Sequence, residues 1–239
     1  KPTLIKSILD IIHADSGSIS LLGGDVRTNT ALKNYIGVVL DEVGLPESFS
    51  VSDVGKVMSR AYKNWDSKAY SDYLRRFDLP DGKSFGDFSK GMKMKLGIAV
   101  ALSHNARLLI LDEPTSGLDP LVRSEIVDIL SDFTRSEEHS ILISSHIVSD
   151  LEKLCDYIAF VHKGRIILCE EKDRLLETYC FLNVTREQYD ALMPDAVKGR
   201  RIMPYCIEVL ADRSMIPAGF EAMPVTIEDL FVFMAKEEK

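Results

Sequence analysis

The chain has 239 residues, of which 46% are apolar, so it can bury the core of one domain with an appendix or of two domains. Its net charge is -8 without any block of lysine and arginine, which argues against binding nucleic acid through a basic surface. The four cysteines lack metal-ligand spacing, and no membrane span or signal peptide is visible, so we expect a cytoplasmic protein with reduced thiols.

The first part of the chain predicts a helix, a turn and a strand. Residues 3–12 carry apolar side chains at helical spacing, which predicts a helix with one buried face. The glycine-rich segment 17–24 predicts a short strand that enters a turn. Residues 36–40 predict a buried strand that ends at Asp41 and Glu42. An acid at a strand end is often only a solvated turn residue, so Asp41 alone does not indicate a site.

The middle of the chain, residues 47–105, predicts a mainly helical segment that is divided by turns at 65–66 and 79–82. Ser89 precedes its last helix and is a common type of N-cap residue. A capped helix N-terminus is also an anion-binding site when a glycine such as Gly91 permits close approach of the backbone. The two interpretations of Ser89 are compatible.

Four consecutive apolar residues, 108–111, run directly into Asp112 and Glu113. A run without polar alternation predicts a strand that is buried on both faces of a parallel sheet. Ligand sites of open α/β sheets lie at the carboxyl ends of strands, so the two carboxylates are candidates for a site. An isolated pair of this kind is more often a solvated acidic turn than a ligand site. The neighbouring motifs decide between these two interpretations.

The last part of the chain predicts a helix, further short elements and an appendix. Asp119 and Pro120 are typical of a helix start, because an N-cap acceptor is followed by proline at the first helical position. Three further elements are expected downstream: a strand at 140–144, a helix at 148–154 and a hairpin with strands at 157–161 and 165–168. After about residue 175, prolines interrupt short apolar segments, which predicts a small C-terminal appendix.

Five short segments occur in an order that resembles the ATP-binding subunit of ABC transporters, although each alone would be a weak signal. They are Lys1-Pro2-Thr3 at the P-loop, Ser89-Lys90-Gly91-Met92 as the signature motif, Asp112-Glu113 as Walker B, Ser116-Gly117-Leu118-Asp119 as the D-loop, and His146 as the switch histidine. The resemblance covers residues 1 to about 170. It implies an α/β fold with a P-loop NTPase (RecA-like) core, a helical subdomain at about 47–105, an ABC ATPase domain at 1–174 and a C-terminal appendix at 175–239.

The resemblance also implies roles for individual residues. Asp112 would hold Mg²⁺ directly or through water, and Glu113 would act as a general base or polarise water for attack on the γ-phosphate of ATP. His146 would sense the γ-phosphate and orient the attacking water. Ser89, Gly91 and Asp119 would make further nucleotide contacts. Of these, Ser89 and Gly91 belong to the signature motif, which would contact the γ-phosphate held by the opposite subunit.

The chain departs from the family motifs at three positions, and its P-loop is incomplete. Lys1 corresponds to the P-loop lysine, and the resemblance implies that Lys1 and Thr3, at the start of its helix, bind the nucleotide. We expect the P-loop glycines and their strand to precede Lys1. Pro2 takes the place of the magnesium-binding Ser/Thr and has neither a hydroxyl nor an N–H group. Asp41 takes the place of the Q-loop glutamine, and its carboxylate is a suitable ligand for Mg²⁺. Lys90 replaces a glycine of the signature, where it either adds a positive charge or blocks close approach.

The function implied by the resemblance is that of an ATP-binding and hydrolysing subunit, which powers transport across the bacterial membrane through a transmembrane permease subunit. The subunit would form a homodimer or pair with another ATPase subunit, without nucleic acid, at the inner face of the cell membrane. The finer resemblance is to bacterial exporter subunits, including those for antimicrobial peptides. Two alternatives are a soluble ABC ATPase without a transport role and a non-hydrolysing nucleotide-binding module, the latter because of Pro2, Asp41 and Lys90.

Overall fold

The computed structural model describes the backbone of residues 1–237 and the side chains of residues 1–235. The chain forms two compact units, Lys1–Ile147 and Val148–Lys239. Among the described residues, no helix has both the length and the apolar character needed to span a bilayer. The predicted boundary between the ATPase domain and the appendix, after residue 174, stays a prediction.

A three-stranded parallel sheet lies at the centre of the first unit. Its strands are β1 (Ile36–Val39), β2 (Leu108–Asp112) and β3 (Ser140–Ser144), in the order β1-β2-β3. The three apolar residues Leu109, Ile110 and Leu111 of β2 are fully buried, as predicted for a strand covered on both faces. Because the strands are parallel, their carboxyl ends lie at one edge of the sheet.

Five helices belong to the first unit. They are α1 (Pro2–Ile8), α2 (Val51–Ala61), α3 (Ser67–Arg76), α4 (Lys90–Leu102) and α5 (Pro120–Phe133), with short 3-10 segments at Thr30–Tyr35 and Phe85–Asp87. The helical character predicted for residues 47–105 is confirmed by α2, α3 and α4. Local capping explains where they begin: a Ser50–Asp53 capping box starts α2, and Asp66 caps α3.

Two glycines set the close packing of α4 on the sheet. A Cβ atom added at Gly37 of β1 would lie 2.8 Å from the carbonyl oxygen of Ala101 in α4, so only glycine permits this approach. A Cβ atom at Gly97 of α4 would lie 3.2 Å from Val43, which follows β1. The N-terminus of α4 is therefore positioned relative to the loop that follows β1.

Two local predictions near the N-terminus are wrong. The short strand predicted within residues 17–24 is absent, whereas the turn that it was predicted to enter is present, with Leu22 and Gly23 at φ 50° and 79° between Leu21 and Gly24. The single bridge between Leu21 and Gly24 closes this turn and does not make a strand. The first helix ends at Ile8 because Asp10 adopts φ 59°, and its predicted continuation to residue 12 is lost.

In the described residues 148–237, the second unit contains a hairpin, an antiparallel sheet and four helices. In chain order its elements are α6 (Val148–Leu154), β4 (Tyr157–His162), β5 (Arg165–Glu171), α7 (Lys172–Thr178), β6 (Tyr179–Val184), α8 (Arg186–Asp190), β7 (Val197–Ile202), β8 (Ile207–Asp212) and α9 (Ile227–Glu237), with 3-10 segments at Pro194–Ala196 and Arg213–Met215. The hairpin β4-β5 is confirmed, with its turn at Lys163-Gly164.

The sheet β6-β8-β7 has cores on both faces. On one face, Cys180 and Leu182 of β6 pack with Val209 of β8. On the other, Phe181 and Leu210 pack with residues of α9 and of the β4-β5 hairpin. The sequence indicated only short apolar segments here, so this sheet is a finding of the structure.

Candidate functional site

Asp112 is a buried carboxylate at the carboxyl edge of the parallel sheet. It is the last residue of β2, pairs in register with Ser144 at the end of β3, and is only 5% exposed. The Ser144 hydroxyl donates a hydrogen bond to Asp112 Oδ1. This bond satisfies part of the hydrogen-bonding capacity of a buried charge, which would otherwise be costly.

Glu113 leaves the strand through a left-handed backbone conformation and contacts His146. Its φ is 51°, and its N–H donates to the Ser144 carbonyl oxygen at 2.9 Å. Its Oε2 accepts a hydrogen bond from the His146 backbone N–H at 3.2 Å and lies 2.6 Å from His146 Nδ1. With an ionised Glu113, Nδ1 of His146 is the hydrogen-bond donor. The predicted catalytic glutamate and the predicted switch histidine are thus in direct contact.

Lys1 joins this edge from the start of α1. Its Nζ donates to the carbonyl oxygen of Ser145 at 2.6 Å, next to His146. Ser145 is itself buried, and its Oγ accepts from the backbone N–H of Ile147 at 2.9 Å. Thr3 is exposed in the first turn of α1. The structure therefore brings Lys1 to the edge where Asp112, Glu113 and His146 lie.

A second group of predicted residues lies at the N-termini of α4 and α5. Ser89 caps α4 by accepting from Met92 N–H at 3.2 Å, and Asp119 caps α5 by accepting from two backbone N–H groups at 3.1 and 3.0 Å. Residues at both helix starts line a cavity of about 240 Å³. A Cβ atom added at Gly91 would lie 3.4 Å from Val122 Cγ1, so Gly91 lies close to α5.

Lys93 and Lys95 of α4 pack on neighbouring elements. The Lys95 side chain is 13% exposed and pairs with Glu125 of α5 at 2.6 Å. Lys93 lies over the Phe85 ring, 5.0 Å from its centroid. Both lysines combine an apolar stem with a charged end, which lets them pack on neighbouring elements.

Asp41 and Lys90 form an ion pair that the sequence did not predict. Lys90 Nζ donates to Asp41 Oδ1 at 3.3 Å, and both side chains are about half exposed. The two residues are 49 positions apart, and the sequence predicts unrelated roles for them, Asp41 as a metal ligand and Lys90 as a departure within the signature. Their opposite charges are the only sequence signal that pointed to this pair.

The donors present fit a magnesium ion that is shared with a nucleotide. Among the described residues, no group of three or more His, Cys, Asp and Glu side chains forms a metal cluster. Mg²⁺ is usually bound by one or two carboxylates together with substrate phosphates and water, so the buried carboxylate of Asp112 is a sufficient protein ligand. The ligand roles predicted for Asp112 and Asp41 stay predictions.

Comparisons with known proteins agree with this geometry. A family model described as ABC transporter matches residues 1–116. The lantibiotic transport ATP-binding protein SrtF of Streptococcus pyogenes is 38% identical over 175 residues, which cover 72% of this chain and 75% of SrtF. The ABC transporter ATP-binding protein YtrB of Bacillus subtilis is 25% identical over 97% of this chain and 84% of YtrB. A solved structure of an ATP-binding subunit of an ABC transporter superposes with a TM-score of 0.66 and 27% identity, covering 73% of this chain and 75% of that one.

The fold and the edge of the sheet define an ATP-hydrolysing protein with a RecA-like P-loop NTPase fold. The chain belongs to the ABC transporter family, as one of its ATP-binding subunits. The predicted family, fold class and function as an ATP-hydrolysing transport subunit are confirmed, and neither alternative function is favoured. The roles of individual residues stay predictions.

Proposed function

We propose that this subunit hydrolyses ATP at the edge formed by Lys1, Asp112, Glu113 and His146, with Glu113 as the base. The observation that supports this assignment is the 2.6 Å contact between Glu113 Oε2 and His146 Nδ1. A candidate base must be held by a third group so that it faces its proton, and two hydrogen-bond donors of His146 hold this carboxylate.

In this mechanism Glu113 accepts a proton from a water molecule as the water oxygen attacks the γ-phosphorus. The bond between the γ-phosphorus and the bridging oxygen breaks, and its electron pair leaves with ADP. The proton then passes from Glu113 to the released phosphate or to solvent, which restores the carboxylate. His146 keeps the carboxylate aimed at the water during the step.

Lys1 and Asp112 would serve the phosphates and the metal. The Lys1 ammonium, now on the Ser145 carbonyl oxygen, would turn to the β- and γ-phosphates when the nucleotide binds. Bound Mg²⁺ would neutralise phosphate charge and polarise the γ-phosphoryl group. Asp112 would hold it directly or through water, while Pro2 offers no hydroxyl oxygen for it.

Two copies, or this chain and a paired ATPase subunit, would close face to face around two ATP molecules. In that arrangement Ser89 and Gly91, at the N-terminus of α4, would contact the γ-phosphate held by the opposite subunit, and Asp119 would lie beside them. A helix N-terminus is suited to this because its free N–H groups and dipole attract anions. The 13-residue length of α4 supports a full helix dipole.

The membrane partner would bind beside the loop that follows β1. An apolar groove of about 200 Å³ lies there, lined by side chains such as Val38, Leu40, Val43 and Met58, with the acidic Glu42 at the same place. Its proposed occupant is a short cytoplasmic helix of the permease subunit that inserts apolar side chains and presents a basic residue to Glu42. This would hold the subunit at the inner face of the cell membrane.

The proposed cargo is a peptide antibiotic, and the proposed direction is export. The support is the 38% identity to a lantibiotic transport ATP-binding protein. Transport assays in vesicles that contain the subunit and its permease would test this. Stimulation of ATP hydrolysis by a lantibiotic, but not by single amino acids, is the expected result.

Replacing Glu113 by Gln tests the hydrolytic role directly. We expect phosphate release to fall by about 10²–10⁴-fold, since the amide cannot accept the proton, while nucleotide binding persists. His146→Ala should also slow release, because it removes the donor that orients Glu113. Matched controls are Glu137→Gln and His13→Ala, which change exposed residues away from the sheet edge. Unchanged turnover in Glu113→Gln would remove Glu113 from the mechanism.

A further inference from the structure

The ammonium group of Lys90, at the start of α4, lies near two loops of the first unit. Lys90 is the first residue of α4, directly after the N-cap Ser89. Its Nζ lies 3.3 Å from Oδ1 of Asp41, in the loop after β1. A Cβ atom added at Gly117, in the loop before α5, would lie 3.4 Å from the same Nζ. The Lys90 ammonium therefore pairs with the loop after β1 and lies close to the loop before α5.

We propose that Asp41 is a positioning residue, which holds Lys90 and thereby fixes the first turn of α4. Through that turn it would orient Ser89 and Gly91, which the proposed function assigns to the nucleotide of the opposite subunit. The inference rests on that proposed function for its consequence in catalysis. The ion pair that carries it is a property of the single chain.

Helix electrostatics explains why this turn needs a carboxylate. A lysine at the first helical position faces the positive end of the helix dipole, which is unfavourable. The first turn of α4 contains no acidic residue that would offset it. Asp41 supplies the missing negative charge from outside the helix. The two departures from the family pattern, Gln to Asp and Gly to Lys, thus compensate each other.

The same geometry argues against Asp41 as a magnesium ligand. Its carboxylate already has a cationic partner, and a divalent ion bound to it would lie within a few ångströms of the Lys90 ammonium. Like charges at that distance repel, although water partly screens two groups that are about half exposed, so Mg²⁺ would have to compete with Lys90 for this carboxylate. Asp112, by contrast, accepts a hydrogen bond from the neutral Ser144 hydroxyl.

Hydrogen exchange at two backbone amides tests the positioning role without any need for activity. Met92 N–H is bonded to Ser89 Oγ and Lys93 N–H to the Ser89 carbonyl oxygen, so both report on the first turn of α4. Asp41→Asn should speed their exchange by about 1.4- to 5-fold, the range expected for loss of an exposed ion pair, whereas the same change made in a Lys90→Gln background should alter it little. The double variant should exchange no faster than the faster single variant. The swap Asp41→Lys with Lys90→Asp should restore slow exchange.

A matched control is the exposed Asp72–Arg75 ion pair of α3. The double variant Asp72→Asn with Arg75→Gln should leave the Met92 and Lys93 amides unchanged. An equal effect of Asp41→Asn in the wild-type and Lys90→Gln backgrounds, or no effect of Asp41→Asn in the wild type, would overturn the proposal. So would a failure of the charge swap to restore protection.

Magnesium titration of ATP hydrolysis separates the positioning role from ligation. For a positioning residue, kcat falls in both single variants, the swap recovers it, and the Mg²⁺ concentration for half-maximal rate stays the same. A metal ligand would instead raise that concentration in Asp41→Asn but not in Lys90→Gln, which would overturn the proposal. A wild-type protein without ATP hydrolysis would contradict the proposed function, while the exchange experiment would still decide the role of Asp41.

Discussion

At the scale of single residues, Glu113 shows strain at the site. A residue other than glycine at φ 51° costs about 1–3 kcal/mol, and such conformations persist where the surroundings enforce them. At Glu113 this conformation places the side chain in contact with His146. The sequence indicated Glu113 from its place after an apolar strand, and His146 from the resemblance to the ABC family. It did not predict their contact, because residues 33 positions apart meet only once β2 and β3 pair in register.

Pro2 gives the first residue-scale prediction. In Pro2→Ser a hydroxyl oxygen would replace a ring that cannot bind Mg²⁺, so nucleotide binding should need less of the metal. We expect the half-saturating Mg²⁺ concentration to fall by about tenfold, equivalent to about 1.4 kcal/mol. Calorimetric titration of ATP at several Mg²⁺ concentrations measures it.

The control for this change is Pro2→Ala, which removes the ring without adding a hydroxyl. It should leave the Mg²⁺ requirement as it is. Equal shifts in Pro2→Ser and Pro2→Ala would assign the effect to the backbone of α1, and no shift in either would separate residue 2 from the metal.

At the scale of elements, helix starts were the most predictable feature. Ser89 and Asp119 were predicted as caps and are caps, because a cap depends on a few adjacent residues. The predicted strand at 17–24 is wrong for the opposite reason. A strand forms only when it pairs with another strand, and the local sequence of residues 17–24 does not indicate whether such a partner exists.

Ser89 gives a prediction about the start of α4. Ser89→Arg should block closure of two ATP-bound subunits, since a bulky cation would occupy the proposed contact surface, while ATP binding by one subunit persists. Ser89→Ala is the matched control, because it removes the cap, at a cost of about 1 kcal/mol, without adding bulk. Sizing chromatography with ATP, in the Glu113→Gln background, measures closure. A normal dimer in Ser89→Arg would restrict Ser89 to the role of a cap.

His104, two residues after α4, gives a prediction about pH. Its ring is buried and stacks on Tyr62, with centroids 3.9 Å apart, and its Nδ1 lies 3.1 Å from the Asn34 carbonyl oxygen. In the described part of the chain, Nε2 is buried without a hydrogen-bond partner. Burial lowers the pKa of His104 below its ordinary value of 6.5.

The sign follows from the lowered pKa. The unfolded chain takes up a proton near pH 6.5 while the folded His104 stays neutral, so the stabilising contribution is complete above that pH and decreases below it. We expect the free energy of unfolding to fall by up to about 1.4 kcal/mol per pH unit in this window. Urea unfolding at several pH values measures it. His104→Phe keeps the stack and should reduce the slope, whereas the exposed His13→Ala should not, and equal slopes in both would contradict the assignment.

At the scale of the whole molecule, the two units differ in how much the sequence predicted. The first unit was predictable because two signals indicated the same fold. The order of the motifs indicated an ABC ATPase, and the apolar run of β2 indicated a strand buried in a parallel sheet. The sheet β6-β8-β7 was missed because Cys180, Phe181 and Leu182 are buried in succession, on alternating faces. Burial on both faces removes the polar alternation that marks a strand. Its antiparallel pairing also depends on residues far apart in the chain.

The two cores on the faces of the β6-β8-β7 sheet consist of residues of the second unit. We therefore expect a destabilising change in one unit to leave the stability of the other unchanged. Leu182→Ala and Leu130→Ala remove equivalent buried side chains, one from each unit. Each should cost about 2–5 kcal/mol, because the cavity relaxes only in part. Hydrogen exchange measured separately for residues 1–147 and 148–237 should show Leu182→Ala destabilising only the latter and Leu130→Ala only the former. Equal loss of protection in both segments from either variant would mean that the chain unfolds as one cooperative unit.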